Sequence, residues 1–131
     1  PLIISVEGKY GSLLSDGSIS AEHLRSVLER SEVCIRDNMF VRYYTKQEFK
    51  HLLENSSLDV IALIGTHYIP DGIFQRWLDE RSLRKKSYRS RILRLERMCR
   101  EYEVIENLAR AWVAVCRKKE RALHINHRNQ Y

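Results

Sequence analysis

Leu2-Ile3-Ile4-Ser5-Val6 is a short, largely β-branched apolar run closed by Gly8, which predicts a buried strand at the start of the chain. Gly8, Gly11 and Asp16-Gly17 then punctuate a loop in which Leu13-Leu14 reads as a second short strand. Ser20 is placed to cap a helix over residues 21–30, with Leu24, Val27 and Leu28 on one face. Val33-Cys34-Ile35 and residues 39–44 read as extended, and Asp37-Asn38 between them as a hairpin turn or a bulge. Thr45-Lys46-Gln47-Glu48 is a capping box, and Phe49, Leu52 and Leu53 continue it as a helix over residues 46–55. Residues 59–65 are apolar on successive positions from Val60 and end at Gly65, as in a fully buried strand. Pro70-Asp71 opens an expected helix that carries Ile73, Phe74, Trp77 and Leu78.

This alternation of strand and helix predicts an α/β fold with a small, mostly parallel sheet of about three main strands and flanking helices. Beyond Ser82 the pattern changes. Met98, Tyr102, Ile105, Ala109, Trp112 and Cys116 recur at spacings of four and three, the period of one long amphipathic helix. The chain therefore divides into an α/β core over 1–80, a basic helical segment over 81–123 packed on the same domain, and a polar tail over 124–131. Gly and Pro stop at Gly72, which agrees with helix rather than sheet in the last part.

The 131 residues fit one domain, and their formal net charge of +6 is a cancellation. Residues 1–80 carry 8 Lys/Arg against 12 Asp/Glu, whereas residues 81–121 carry 14 against 5. Nine basic residues, seven of them Arg, fall between positions 81 and 100 against the single acid Glu96. That density is the electrostatic footprint of phosphate-backbone binding, and Arg suits bidentate phosphate contacts. Arg84, Lys85, Lys86, Arg89, Arg91, Arg94 and Arg97 are the candidate contacts. The competing reading is a solvated face balanced by the acidic half. Cys34, Cys99 and Cys116 are too few for a disulfide framework and read as reduced, buried thiols of an intracellular protein, cytoplasmic or nuclear. No apolar run reaches the roughly 18 residues of a membrane span, and the first residues lack the basic start of a signal peptide.

Val6-Glu7-Gly8-Lys9, a Glu at the carboxyl end of a first strand followed by Gly, resembles the opening of a Toprim domain. The resemblance implies a general acid–base role for that Glu and a downstream Asp-x-Asp pair holding Mg²⁺. The matching later strand runs instead into Thr66-His67-Tyr68, so the likeness covers about six residues and stops at its metal motif. Asp37 followed by Glu48-Phe49-Lys50 has the spacing of a metal-dependent nuclease. A capping box at Thr45 places Glu48 in the first turn of a helix, pointing about 200° away from Lys50 rather than on the same side of a strand. His124 and His127 lack further ligands at metal spacing and read as a solvated pair, while His67 follows a strand end where open sheets hold ligands. There is no phosphate loop, nucleophile elbow or dinucleotide fingerprint.

The sequence thus favours binding over catalysis, with no catalytic residue, metal or cofactor assigned. The first expectation is a module that contacts nucleic acid through its basic helix with weak sequence preference. The alternatives are an acidic protein partner bound by the same basic segment, an adaptor or complex subunit that docks a partner or a second copy through the apolar seam Tyr102, Ile105 and Trp112, and a degenerate metal-dependent, nuclease-like domain.

Overall fold

The computed structural model describes residues 1–15, 20–72 and 74–119. Its strands are β1 (Leu2–Gly8), β2 (Glu32–Arg36), β3 (Met39–Tyr44), β4 (Leu58–Thr66) and β5 (Ala111–Lys118). The helices are α1 (Lys9–Ser15), α2 (Ala21–Arg30), α3 (Lys46–Asn55), α4 (Lys86–Glu101) and α5 (Glu103–Glu106), with 3₁₀ turns at Gln75–Trp77 and Glu80–Arg84. The expected caps form. Ser20 Oγ accepts from the His23 N–H, and Thr45 and Glu48 exchange both bonds of the capping box at 2.8 and 3.2 Å. Asp37 and Asn38 both have positive φ, as the two-residue hairpin between β2 and β3 requires, and a register shift between Cys34 and Arg36 adds a bulge.

The sheet departs from the expected mostly parallel, three-stranded form. Among the described residues five strands lie in the order β2-β3-β1-β5-β4, and of these only β1 and β3 pair in parallel. The β2–β3, β1–β5 and β4–β5 pairs are antiparallel. The reason is β5. The strands β1, β3 and β4 do share one direction, but β5 is inserted between β1 and β4 and runs against both. The expected long helix over 81–123 therefore ends at Glu101, and Trp112 and Cys116 belong to an inner strand. Two further expectations change. Leu13-Leu14 lies in α1, and the segment after Pro70 forms a loop with 3₁₀ turns rather than a helix. Ile73 lies outside the described residues, as does the polar tail with His124 and His127.

Tyr43 and Tyr44 are consecutive on β3 and so point to opposite faces of the sheet. Tyr44 packs with Phe49, Leu53, Ile92, Cys99, Trp112 and Cys116, which places α3 and α4 on that face. Tyr43 packs with Leu13, Val27 and Val33, which places α1 and α2 on the other. Cys99 and Cys116 are buried as expected, whereas Cys34 is exposed on the hairpin.

Tyr68 is fully buried, with its hydroxyl donating to the Glu106 carbonyl at 3.1 Å. Burial, reinforced by the Glu106 charge, pushes this phenol far above its ordinary value. Burial also raises the Cys99 thiol, assisted by Glu96. Both groups hold their protons more tightly when folded, so their contribution is complete below the ordinary thiol and phenol values and falls as pH rises beyond them. Stability measured by urea melts should therefore decline from about pH 9 upward. Tyr68→Phe should flatten the part of that decline above about pH 10, and an unchanged alkaline profile would contradict the buried phenol.

Candidate functional site

The core side of α4 is held by three contacts. Ile92 and Cys99 enter the core cluster, and Glu96, 7% exposed, accepts the Ile69 N–H at 2.7 Å. Arg100 Nε donates to the Gly65 carbonyl at 2.9 Å, fastening the end of α4 to the end of β4. These contacts fix which side of the helix faces water. At 3.6 residues per turn, Ile92, Glu96 and Cys99 fall within about 60° of one another, and Lys86, Arg91, Arg94 and Arg97 spread over about 140° of the opposite side. All four are exposed, as are Arg81, Arg84 and Lys85 in the preceding turn.

The candidate basic residues are not equivalent. Arg89 turns its guanidinium back, donating to the carbonyls of Leu83 and Arg84 at 2.8 and 3.1 Å, and so closes the 3₁₀ turn. Lys85 stands near Asp79, whose carboxyl is held below its ordinary value first by the Ser82 hydroxyl and more weakly by the lysine's charge. Among the described residues, no ion pair includes a basic side chain from Arg81 to Arg100. The acids of the N-terminal half pair elsewhere: Asp59 with Arg117, Glu7 with Arg110, Glu54 with Lys50. The internal balance open to the sequence is thus not the one these residues make.

The electrostatics of α4 also run against its own stability. Its first turn contains no acid and its N-cap, Lys85, makes no side-chain cap, so Lys85 and Lys86 sit at the positive end of the helix dipole. Arg91, Arg94 and Arg97 follow one another at i, i+3, where like charges repel by a few tenths of a kcal/mol per pair.

Beside this face lies an apolar notch of about 240 Å³ between α4, α5 and the β4–α4 loop, rimmed by Leu95, Met98 and Tyr102. Tyr102 is 58% exposed and Ile105 lines the notch. Trp112 does not join them. At 1% exposure on β5, with its indole N–H donating to the Tyr44 carbonyl at 3.1 Å, it is a core residue, which corrects its placement on a partner surface.

A second region gathers at the carboxyl end of the sheet. Tyr43, Glu7, Ala111 and Thr66 stand in register across β3, β1, β5 and β4. A polar cavity of about 340 Å³ opens there, lined by Ser12, Leu13, His23, Val27, Tyr43, Asp71, Gln75 and Arg110. Glu7 accepts from Ser12 Oγ at 3.2 Å and approaches Arg110 at 3.6 Å. His67, with φ 62°, pairs through Nδ1 with Asp71 at 2.7 Å. Sequence reasoning singled out Glu7 and His67 but missed Arg110 and Asp71. The available signal was the spacing of four between His67 and Asp71, just beyond a strand end.

The metal-based expectations find no assembled site. Asp37 sits in the β2–β3 hairpin, the Glu48 carboxylate is engaged in its cap, and Lys50 pairs with Glu54 at 3.8 Å. Among the described residues, no group of three or more His, Cys, Asp or Glu side chains could hold a metal ion, Glu7 included. Nor is any described helix long and apolar enough to cross a membrane. No protein family, curated protein or solved structure matches the chain.

Proposed function

We propose that the protein binds the phosphate backbone of nucleic acid through α4 and the turn before it, with Lys86, Arg91, Arg94 and Arg97 as the main contacts and Arg84 and Lys85 at the edge. The observation that carries this reading is the lack of any ion pair from these side chains among the described residues, while six pairs form elsewhere. Charge set in rows that repel, on a helix end that disfavours it, costs folding stability, and a polyanion relieves that cost by occupying the row. Among the described residues no element with base-reading side chains accompanies the row, so the expected recognition is of backbone rather than sequence.

Binding should be tested on random single- and double-stranded DNA and RNA across a salt series. Four to six phosphate contacts on a duplex predict a log–log slope of roughly −4 to −5. Flat salt dependence, or no affinity at about 50 mM salt, would sink the proposal.

A further inference from the structure

The cavity at the carboxyl end of the sheet lies where the chain reverses its winding. From β1 the chain crosses one face through α1 and α2 to β2 and β3, and from β3 it crosses the other face through α3 to β4. The crevice opened by such a reversal, outside the carboxyl ends of the strands, is the place where open α/β sheets hold ligands. The cavity of about 340 Å³ is at the small end of the range for small-molecule sites.

Its walls carry hydrogen-bonding groups that the fold does not use. Arg110 reaches Glu7 only at 3.6 Å, as a loose ion pair. Asp71 spends Oδ1 on His67, and its Oδ2 has no partner among the described residues. The Gln75 amide and the His23 ring make no side-chain hydrogen bond among those residues either; Gln75 engages Gly72 and Leu78 through its backbone N–H and carbonyl, and the His23 N–H donates to the Ser20 cap. Behind them Leu13 and the fully buried Val27 close the cavity, with Tyr43 beside them. One guanidinium and one carboxylate thus line the same polar cavity.

We infer that this cavity binds a ribonucleoside monophosphate. Arg110 donates to the phosphate, Asp71 Oδ2 accepts from the ribose hydroxyls, and Gln75 meets the base edge with its paired donor and acceptor. A carboxylate can accept from both hydroxyls of a cis-diol. His67 Nδ1 already occupies Oδ1 of Asp71 at 2.7 Å, which leaves Oδ2 as the oxygen open to the hydroxyls. No lining residue belongs to α4 or to the basic turn, so this inference stands apart from the nucleic-acid reading.

Isothermal titration with AMP, UMP, 2′-deoxy-AMP, adenosine and inorganic phosphate tests it. AMP and UMP should bind with one-to-one stoichiometry, and 2′-deoxy-AMP and adenosine each about tenfold or more weaker, the value of a lost hydrogen bond to a charged group. Asp71→Asn should erase the AMP preference over 2′-deoxy-AMP, and Arg110→Gln the preference over adenosine. Gln75→Ala, which removes no side-chain hydrogen bond among the described residues, should weaken AMP and provides a second variant if either of the others unfolds. Absence of AMP binding at millimolar concentration, inorganic phosphate binding as tightly as AMP, or an unchanged AMP to 2′-deoxy-AMP ratio in a folded Asp71→Asn protein would overturn the assignment.

Discussion

Trp112→Ala should lower stability by about 3–5 kcal/mol, much of what a domain of this size possesses. The ring is 1% exposed and contributes to the largest core cluster. On β5 it stands in register with Val6 of β1 and Gly65 of β4. Gly65 is there because the ring and the Tyr68 hydroxyl occupy the space a Cβ would need. Truncation leaves a cavity bounded by strands on both sides, where collapse is difficult, and removes the donor to the Tyr44 carbonyl. Urea denaturation should show a midpoint lowered by roughly 2 M at an ordinary m-value. Trp112→Phe, which keeps most of the volume, should cost distinctly less. The alternative placement, on an exposed helical seam, predicts almost no change for either variant. A midpoint shift below about 0.5 M would therefore count against β5 as an inner strand.

The same residue shows why part of the fold was legible in the sequence and part was not. Local signals held at Ser20 and Thr45 at helix starts and at Gly65 near a strand end; Asp37-Asn38, open between a hairpin turn and a bulge, makes the hairpin, whereas Pro70-Asp71 opens a loop instead of the expected helix. Position 111 onward carries no such punctuation. Ala111-Trp112-Val113-Ala114-Val115-Cys116 is apolar at every position because neither face of this inner strand is fully exposed, and a run of this kind satisfies a spacing of three and four as readily as one of two. The turn into it is made by Tyr102, α5 and Asn107, none of which announces a break as Gly or Pro would. Once β5 was read as helix, the sheet was short of a strand and appeared parallel.

The site was legible to a similar extent. Charge density located the basic face, since counting needs no tertiary knowledge. It did not separate Arg89 and Arg100, which hold carbonyls, from Arg91, Arg94 and Arg97, which hold nothing among the described residues. Glu96 looked like a lone acid in a basic helix and is instead the buried acceptor that sets the helix rotation. The polar cavity assembles Ser12, His23, Asp71, Gln75 and Arg110 from four separate parts of the chain, a grouping brought about by the register of the strands.

Reversing the charge at Arg91, Arg94 and Arg97 together should have the largest effect on binding. Each phosphate contact contributes about 0.9 to the slope of log affinity against log salt, and this contribution vanishes near 1 M salt. Three lost contacts therefore reduce duplex affinity by roughly a thousandfold at about 50 mM salt and lower the slope by about 2.7, before any repulsion from the new carboxylates is added. The fold should tolerate the change, because all three side chains are exposed and make no ion pair among the described residues. Arg91→Gln, Arg94→Gln and Arg97→Gln in one protein separates the two effects. This neutral variant should lose the same share of the slope while its thermal midpoint stays level or rises slightly, because the i, i+3 repulsion has been removed. If the row were only a solvated face, glutamine and glutamate variants would bind nucleic acid as the parent does. If it were a structural counter-charge to the acidic half, both would be destabilised. Loss of binding with stability kept is the outcome that distinguishes a contact surface from either.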